Sequence, residues 1–172
     1  MIESMIKNNI LISGGGSGGH IFPALAIADK IKEKNQNSEI IFVGARGKME
    51  MKKVPSYGYK IIPIPISGFQ RNNFFKNLFL PVKLIVSLIS SLFIIIKYKP
   101  VLVIGTGGYA SGPLLFVSSI LNIPSIIQEQ NSYPGITNKI LSKFVDKICV
   151  AYENMDKFFP KSKIVFTGNP IR

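Results

Sequence analysis

The sequence predicts an α/β domain, a doubly wound and Rossmann-like parallel sheet with helices on both faces. Three observations carry that expectation. Short apolar, β-branched runs alternate with segments of helical period along the chain. The runs are nearly free of charge, as for strands covered on both sides. Two of them end in glycine-rich turns, Gly14-Gly15-Gly16-Ser17-Gly18-Gly19-His20 and Gly105-Thr106-Gly107-Gly108-Tyr109-Ala110-Ser111-Gly112, and each turn leads into a helix-like segment. With 172 residues the chain can bury one proper core.

The elements follow in order. Residues 9–13 read as a strand ending at the first glycine turn. Residues 20–34 read as a helix, with Ile21, Leu25, Ala28 and Ile31 on one face and Pro23 in the first turn. Residues 39–43 form a short strand, residues 48–56 a short helix, and residues 59–66 an extended run. Pro63 and Pro65 place that run at a sheet edge or a strand end. Strand 101–105, helix 111–121, strand 124–128, helix 136–144 and strands 147–150 and 163–166 complete the alternation. In such folds ligands sit beyond the carboxyl ends of the strands, where strand order reverses. The two glycine turns are therefore expected to face each other.

Residues 74–98 stand apart. Between Lys83 and Lys97 lie 13 uncharged residues, three of them serine and the rest Leu, Ile, Val or Phe. That stretch falls short of the roughly 20 apolar residues of a bilayer span. A buried core helix, an in-plane interfacial helix and a true span all remain open. Lys83, Ser87, Ser90, Ile94 and Lys97 recur at helical spacing and make a narrow polar face. Lys76, Lys83, Lys97 and Lys99 around an apolar surface suit a helix drawn to anionic lipid.

Net charge is +12, from 21 Lys and Arg against 9 Asp and Glu. That imbalance calls for an anionic partner. All but Arg46, Arg71 and Arg172 of these cations are lysines. Lysine acts as a point charge and suits phosphate surfaces more than base readout. The lone Cys149 cannot form an internal disulfide and reads as a small hydrophobe in a reducing compartment. Residues 1–9 lack an apolar core of the kind a secretory leader carries.

Gly14, Gly16 and Gly19 fit the spacing G-x-G-x-x-G, a weak signal alone. A nicotinamide site would place an acid after the second strand; the chain has Val43-Gly44-Ala45-Arg46 there. Arg46 could hold a 2′-phosphate, so an NADP-binding oxidoreductase stands as an alternative. His20 is the only histidine and follows the first glycine turn, where a neutral imidazole can serve as general base. Glu129-Gln130-Asn131-Ser132 follows a strand end and offers ligand contacts, or simply shapes the turn before Pro134.

These segments resemble the N-terminal half of the MurG family, glycosyltransferases that add N-acetylglucosamine to lipid I (undecaprenyl-diphospho-muramoylpentapeptide). The matching stretches are Gly15-Gly16-Ser17-Gly18-Gly19-His20-Ile21-Phe22-Pro23, Ile66-Ser67-Gly68, Gly105 to Pro113, Gln128-Glu129-Gln130-Asn131 and Gly168-Asn169-Pro170-Ile171-Arg172. The resemblance implies the N-terminal half of a GT-B fold, with residues 1–166 as acceptor domain and 167–172 opening an interdomain linker. It implies a donor domain for UDP-GlcNAc beyond that linker, absent from this chain, so that the chain alone is inactive. It implies His20 as base for the muramoyl C4 hydroxyl. Gly15, Gly16, Ser17, Gly18, Gly19, Gly107, Gly108, Tyr109, Ser111, Glu129 and Asn131 would contact the acceptor or its diphosphate. Phe75, Leu78, Phe79, Lys83, Leu84 and Lys97 would touch the membrane, on the cytoplasmic face of the plasma membrane. Neither redox cofactor, metal nor nucleic acid is implied. Many relatives carry histidine where this chain has Gln128, which cannot transfer a proton. A non-catalytic, membrane-recruiting subunit of a split glycosyltransferase is a further reading.

Overall fold

The computed structural model describes residues 8–69 and 77–171. Seven parallel strands form one sheet in the order β3-β2-β1-β4-β5-β6-β7. They are β1 (Asn8–Ser13), β2 (Ser38–Ala45), β3 (Lys60–Ile64), β4 (Leu102–Gly105), β5 (Ser125–Glu129), β6 (Lys147–Val150) and β7 (Ile164–Phe166). Among the described residues five α-helices are interleaved: α1 (Gly18–Lys34), α2 (Glu50–Ser56), α3 (Leu80–Tyr98), α4 (Ser111–Ile120) and α5 (Ile136–Leu141). The doubly wound expectation holds, and the order reverses between β1 and β4.

Period-two alternation divides the core. Leu11 of β1 joins Ile41, Val103, Leu114, Leu115, Ile127 and Ile148 on the face covered by α4. Ile10 and Ile12 turn the other way, against Ile21, Ala24, Leu25 and Ala28 of α1 and Phe42 of β2. Both faces are therefore dry, and the central strands read as unbroken apolar runs. Registers Ser13↔Val43 and Ser13↔Gly105 bring three strands to a common carboxyl edge. Pro63 lies on the outermost strand, opposite Gly44, where its missing N–H breaks no ladder on the open side.

Helix α1 begins two residues earlier than the hydrophobic period suggests. Pro23 consequently sits in the second turn, and the exposed Gly19 carbonyl loses its helical donor. The start moves because the glycines themselves take helical backbone, which apolar spacing does not report.

Helix α3 corrects one expectation. It runs 19 residues and takes Lys83 and Lys97 into its end turns, so among the described residues it is long and apolar enough to cross a membrane by length and composition. The uncharged stretch understated it. Nor is it a core helix, because only 22% of its apolar window is buried. Its polarity is inverted. Ser87, Ser91, Ile94 and Ile95 face the domain, and the helix packs chiefly on α4. Leu78 and Phe79 just ahead of it, and Val82, Leu84, Ile85, Ile89, Phe93 and Ile96 along it, are exposed. Phe75 lies outside the described residues. Lys97 is at the surface, but Lys83 turns inward and donates to Ser67 Oγ at 3.1 Å.

The inward serines are small enough for close helix approach, and Ser91 Oγ is buried without a partner. Ser91→Leu should therefore destabilise the domain by about 1–3 kcal/mol through overpacking. Ser91→Ala should be neutral or mildly stabilising, because it removes an unsatisfied hydroxyl. Phe93→Ser on the outer face should stay within about 0.5 kcal/mol. Chemical denaturation of the three variants checks the inversion; a large loss in Phe93→Ser would contradict it.

Candidate functional site

The site lies at the carboxyl edge between β1 and β4. Thr106 N–H donates to Ser13 O at 2.9 Å, and Gly15 N–H donates to Gly107 O at 3.4 Å, so the two glycine turns meet. Glycine is required where they touch. Gly107 and Gly108 have φ of +96° and +76°, a region side chains disfavour. A Cβ on Gly108 would collide with the Gly15 carbonyl oxygen, and one on Gly107 would lie 2.8 Å from His20 Nδ1.

His20, which follows the first turn, is held by the second turn and by the loop after β5. Its Nδ1 is 2.9 Å from Thr106 O, and Thr106 Oγ1 donates back to His20 O at 2.7 Å. The side-chain amide of Gln130 reaches the same Nδ1 at 2.7 Å. The ring is half-buried, and among the described residues no hydrogen bond reaches Nε2. It is the open nitrogen of the site.

Two buried carboxylates support the walls. Glu50, the first residue of α2, accepts from Ala45 N–H at 3.0 Å and Gly16 N–H at 3.2 Å. It fills the space beneath Gly15. Gly16 N–H is thereby committed inward; the start of α1 leaves Gly18 and Gly19 N–H without an acceptor one turn back. Glu129 is saturated by four donors: Asn131 N–H (3.0 Å), Asn131 Nδ2 (2.9 Å), Gly135 N–H (3.2 Å) and Asn138 Nδ2 (3.0 Å). It folds the loop from β5 into α5.

The residues expected at a ligand thus divide. Gly16, Ser17 and Gly19 are exposed and Gly18, His20 and Tyr109 half-buried beside the juncture, with Gly15, Gly107 and Gly108 where the turns touch. Tyr109 packs against Gly16 and Gly68. Burial first, then the charge of Glu50, push its phenol above the usual range, so it stays a hydroxyl donor. Asn131 is exposed at the rim. Ser111 and Glu129 are placed otherwise than expected. Ser111 is fully buried and its hydroxyl donates to Gly108 O at 2.9 Å, while Glu129 is spent on its four donors. Gln128 is buried with both amide atoms unpartnered, as are Gln130 Oε1 and Asn138 Oδ1. Burial also raises the Cys149 thiol, in keeping with an inert residue.

Sequence reasoning missed Thr106, Glu50, Gln130 and Asn138. Thr106 and Gln130 lay inside motifs singled out for their neighbours. Glu50 and Asn138 gave no signal, since their roles depend on which elements the sheet brings together.

Beside Tyr109 opens an apolar groove of about 570 Å³, walled by Ile66, Leu84, Leu88, Pro113, Phe116 and Ile140. It links the glycine turns to the exposed side of α3.

Residues 10–150 match the model of the glycosyltransferase family 28 N-terminal domain. The chain belongs to this family. A family 28 domain has no place for the oxidoreductase alternative, and Arg46 is an exposed residue outside the described site. Among similar proteins is a Flavobacterium psychrophilum UDP-N-acetylglucosamine--N-acetylmuramyl-(pentapeptide) pyrophosphoryl-undecaprenol N-acetylglucosamine transferase, 56% identical across 98% of this chain and 46% of its own length. The protein of the same name from Parabacteroides distasonis is 54% identical, with the same coverage. The crystal structure of Acinetobacter baumannii MurG superposes with a TM-score of 0.79 at 28% identity, covering 96% of this chain and 46% of that one. The family 28 domain described here spans about half the length of these relatives.

The saturated Glu129 gives a stability prediction. Glu129→Gln replaces one acceptor oxygen by a donor facing other donors, and should cost about 1–3 kcal/mol in thermal or chemical unfolding. A variant as stable as the parent but weakened in ligand binding would return Glu129 to a contact role.

Proposed function

We propose that this chain is the acceptor-binding half of an N-acetylglucosaminyltransferase whose acceptor is a membrane-anchored undecaprenyl-diphospho-muramoyl peptide, lipid I. The observation that carries the reading is the juncture of the two glycine turns around His20, beside an apolar groove that leads to the exposed face of α3. The names of the relatives supply the substrate class.

Each part of such an acceptor has a matching surface. A diphosphate suits the free N–H groups of Gly18 and Gly19 at the positive end of α1. Tyr109 is a neutral donor beside them. The first isoprene units suit the groove, and α3 would lie in the membrane interface with Leu84, Ile85, Phe93 and Ile96 outward and Lys97 and Lys99 at its rim. His20 Nε2 would take the proton of the muramoyl C4 hydroxyl as that oxygen attacks the anomeric carbon of N-acetylglucosamine. The bond to UDP breaks as the glycosidic bond forms, with inversion. UDP-GlcNAc would be held by the further half that the relatives possess. On this reading the protein works at the cytoplasmic membrane face, and the 172-residue chain alone transfers no sugar.

Vesicle flotation tests the membrane part. The chain should float with anionic vesicles, less with neutral ones, and Ile85→Asp with Phe93→Asp should leave it in the soluble fraction. Resistance of the parent to alkaline extraction would refute the in-plane arrangement. The chemical part is tested in a two-domain enzyme completed with the C-terminal half of a relative. His20→Ala should lower kcat about 10²-fold, as for loss of a general base, and change stability by no more than about 1 kcal/mol. Turnover near that of the parent would remove His20 as base.

A further inference from the structure

We infer that Gln130 is a positioning residue that fixes the imidazole of His20 in the Nδ1–H tautomer, so that Nε2 is the nitrogen left to accept a proton. The inference rests on the reading of His20 as base for its catalytic meaning, but the tautomer itself is a separate observable.

The argument begins with what Nδ1 can do. It lies 2.9 Å from Thr106 O and 2.7 Å from the Gln130 amide nitrogen. A carbonyl only accepts and an amide nitrogen only donates. One ring nitrogen cannot donate to the first while accepting from the second. If Nδ1 is bare, its lone pair faces the lone pairs of Thr106 O. If Nδ1 carries hydrogen, it meets the hydrogens of the amide head-on.

The conflict disappears when the Gln130 amide is turned half a revolution about its last bond, an exchange of O and N that leaves the shape unchanged. Nδ1–H then donates to two oxygens, Thr106 O and Gln130 Oε1. A second observation favours the turned amide. In the unturned state Gln130 Oε1 is buried with no donor, and burying an unpaired acceptor is costly. Asn138, whose amide nitrogen lies beside the same Gly107 as the His20 ring, likewise has its Oδ1 buried without a donor.

The Thr106 bond does this only in part. Thr106 O belongs to the backbone and is present whatever residue occupies position 130. A single acceptor favours the Nδ1–H tautomer but tethers the ring at one point, whereas two acceptors strengthen that preference and fix the plane of the ring. The logic is that of a carboxylate orienting a catalytic histidine, here with a neutral amide. A neutral orienter suits a site meant for a diphosphate, because it adds no negative charge beside the ligand.

His20 is the only histidine, so heteronuclear NMR of its imidazole nitrogens reads one residue in this chain without assignment. At a pH where the ring is neutral, the parent should show hydrogen on Nδ1 and a bare Nε2. Gln130→Leu, close in size, should show both tautomers in exchange. Gln130→Glu keeps an acceptor at that point and should retain the parent pattern. In the two-domain enzyme Gln130→Leu should lower kcat about 10-fold with KM within about 2-fold, a loss confined to the transition state. Gln130→Glu should recover most of that kcat while raising KM, because it sets a negative charge beside the diphosphate. Hydrogen on Nε2 in the parent, or an unchanged spectrum in Gln130→Leu, would overturn the inference. If the spectra behave as expected while His20→Ala leaves turnover intact, the tautomer assignment stands and the base reading alone fails.

Discussion

The two bonds exchanged between Thr106 and His20 are the constraint on which the site depends. Thr106 Oγ1 donates to His20 O, and His20 Nδ1 meets Thr106 O. They join residues 86 positions apart, one in the first turn of α1 and the other in the turn after β4. Strand order alone brings these turns to the same edge. The exchange then sets their distance, and that distance forces glycine at Gly107 and Gly108, where a Cβ would meet the imidazole and the Gly15 carbonyl. The crevice is therefore a product of close backbone approach rather than of long side chains reaching inward.

Around this clasp the chain spends buried charge on geometry. Glu50 and Glu129 are almost wholly shielded from water, and no cation is paired with either among the described residues. Each instead gathers neutral donors, which offset the cost of burying a carboxylate. Glu50 pins the first glycine turn to the end of β2, and Glu129 pins the loop that carries Gln130. Both walls of the crevice are thus fastened from below. Both carboxylates are thereby kept out of solvent, so neither presents its charge at the surface of the juncture.

Much of the fold was legible because strand burial and glycine placement are local properties of sequence. The run Ile10-Leu11-Ile12 announces a strand buried on both faces, and β1 is one. The glycine turns announced a crevice, and the sheet order places them together. Side-chain direction was not legible. Ser111 and Glu129 read as ligand contacts because their residue types can bind ligands, but each meets its hydrogen-bonding need inside the fold. Glu50 was invisible because its partners, Ala45 and Gly16, are defined only when α2 tucks beneath the β1 turn. For α3 the serine stripe read as a narrow polar face, with its direction left open. Its small size matters more than its polarity, and packing turned it inward.

That inverted helix alters the thermal signature of the domain. The hydrocarbon on the outer side of α3 is hydrated in the folded chain and remains hydrated after unfolding, so it adds little to the heat-capacity increment of unfolding. The domain should fall below the increment usual for its length, with a correspondingly flatter stability curve. The missing part is held in reserve: it would be released as a negative heat-capacity change only when another apolar phase takes that surface out of water.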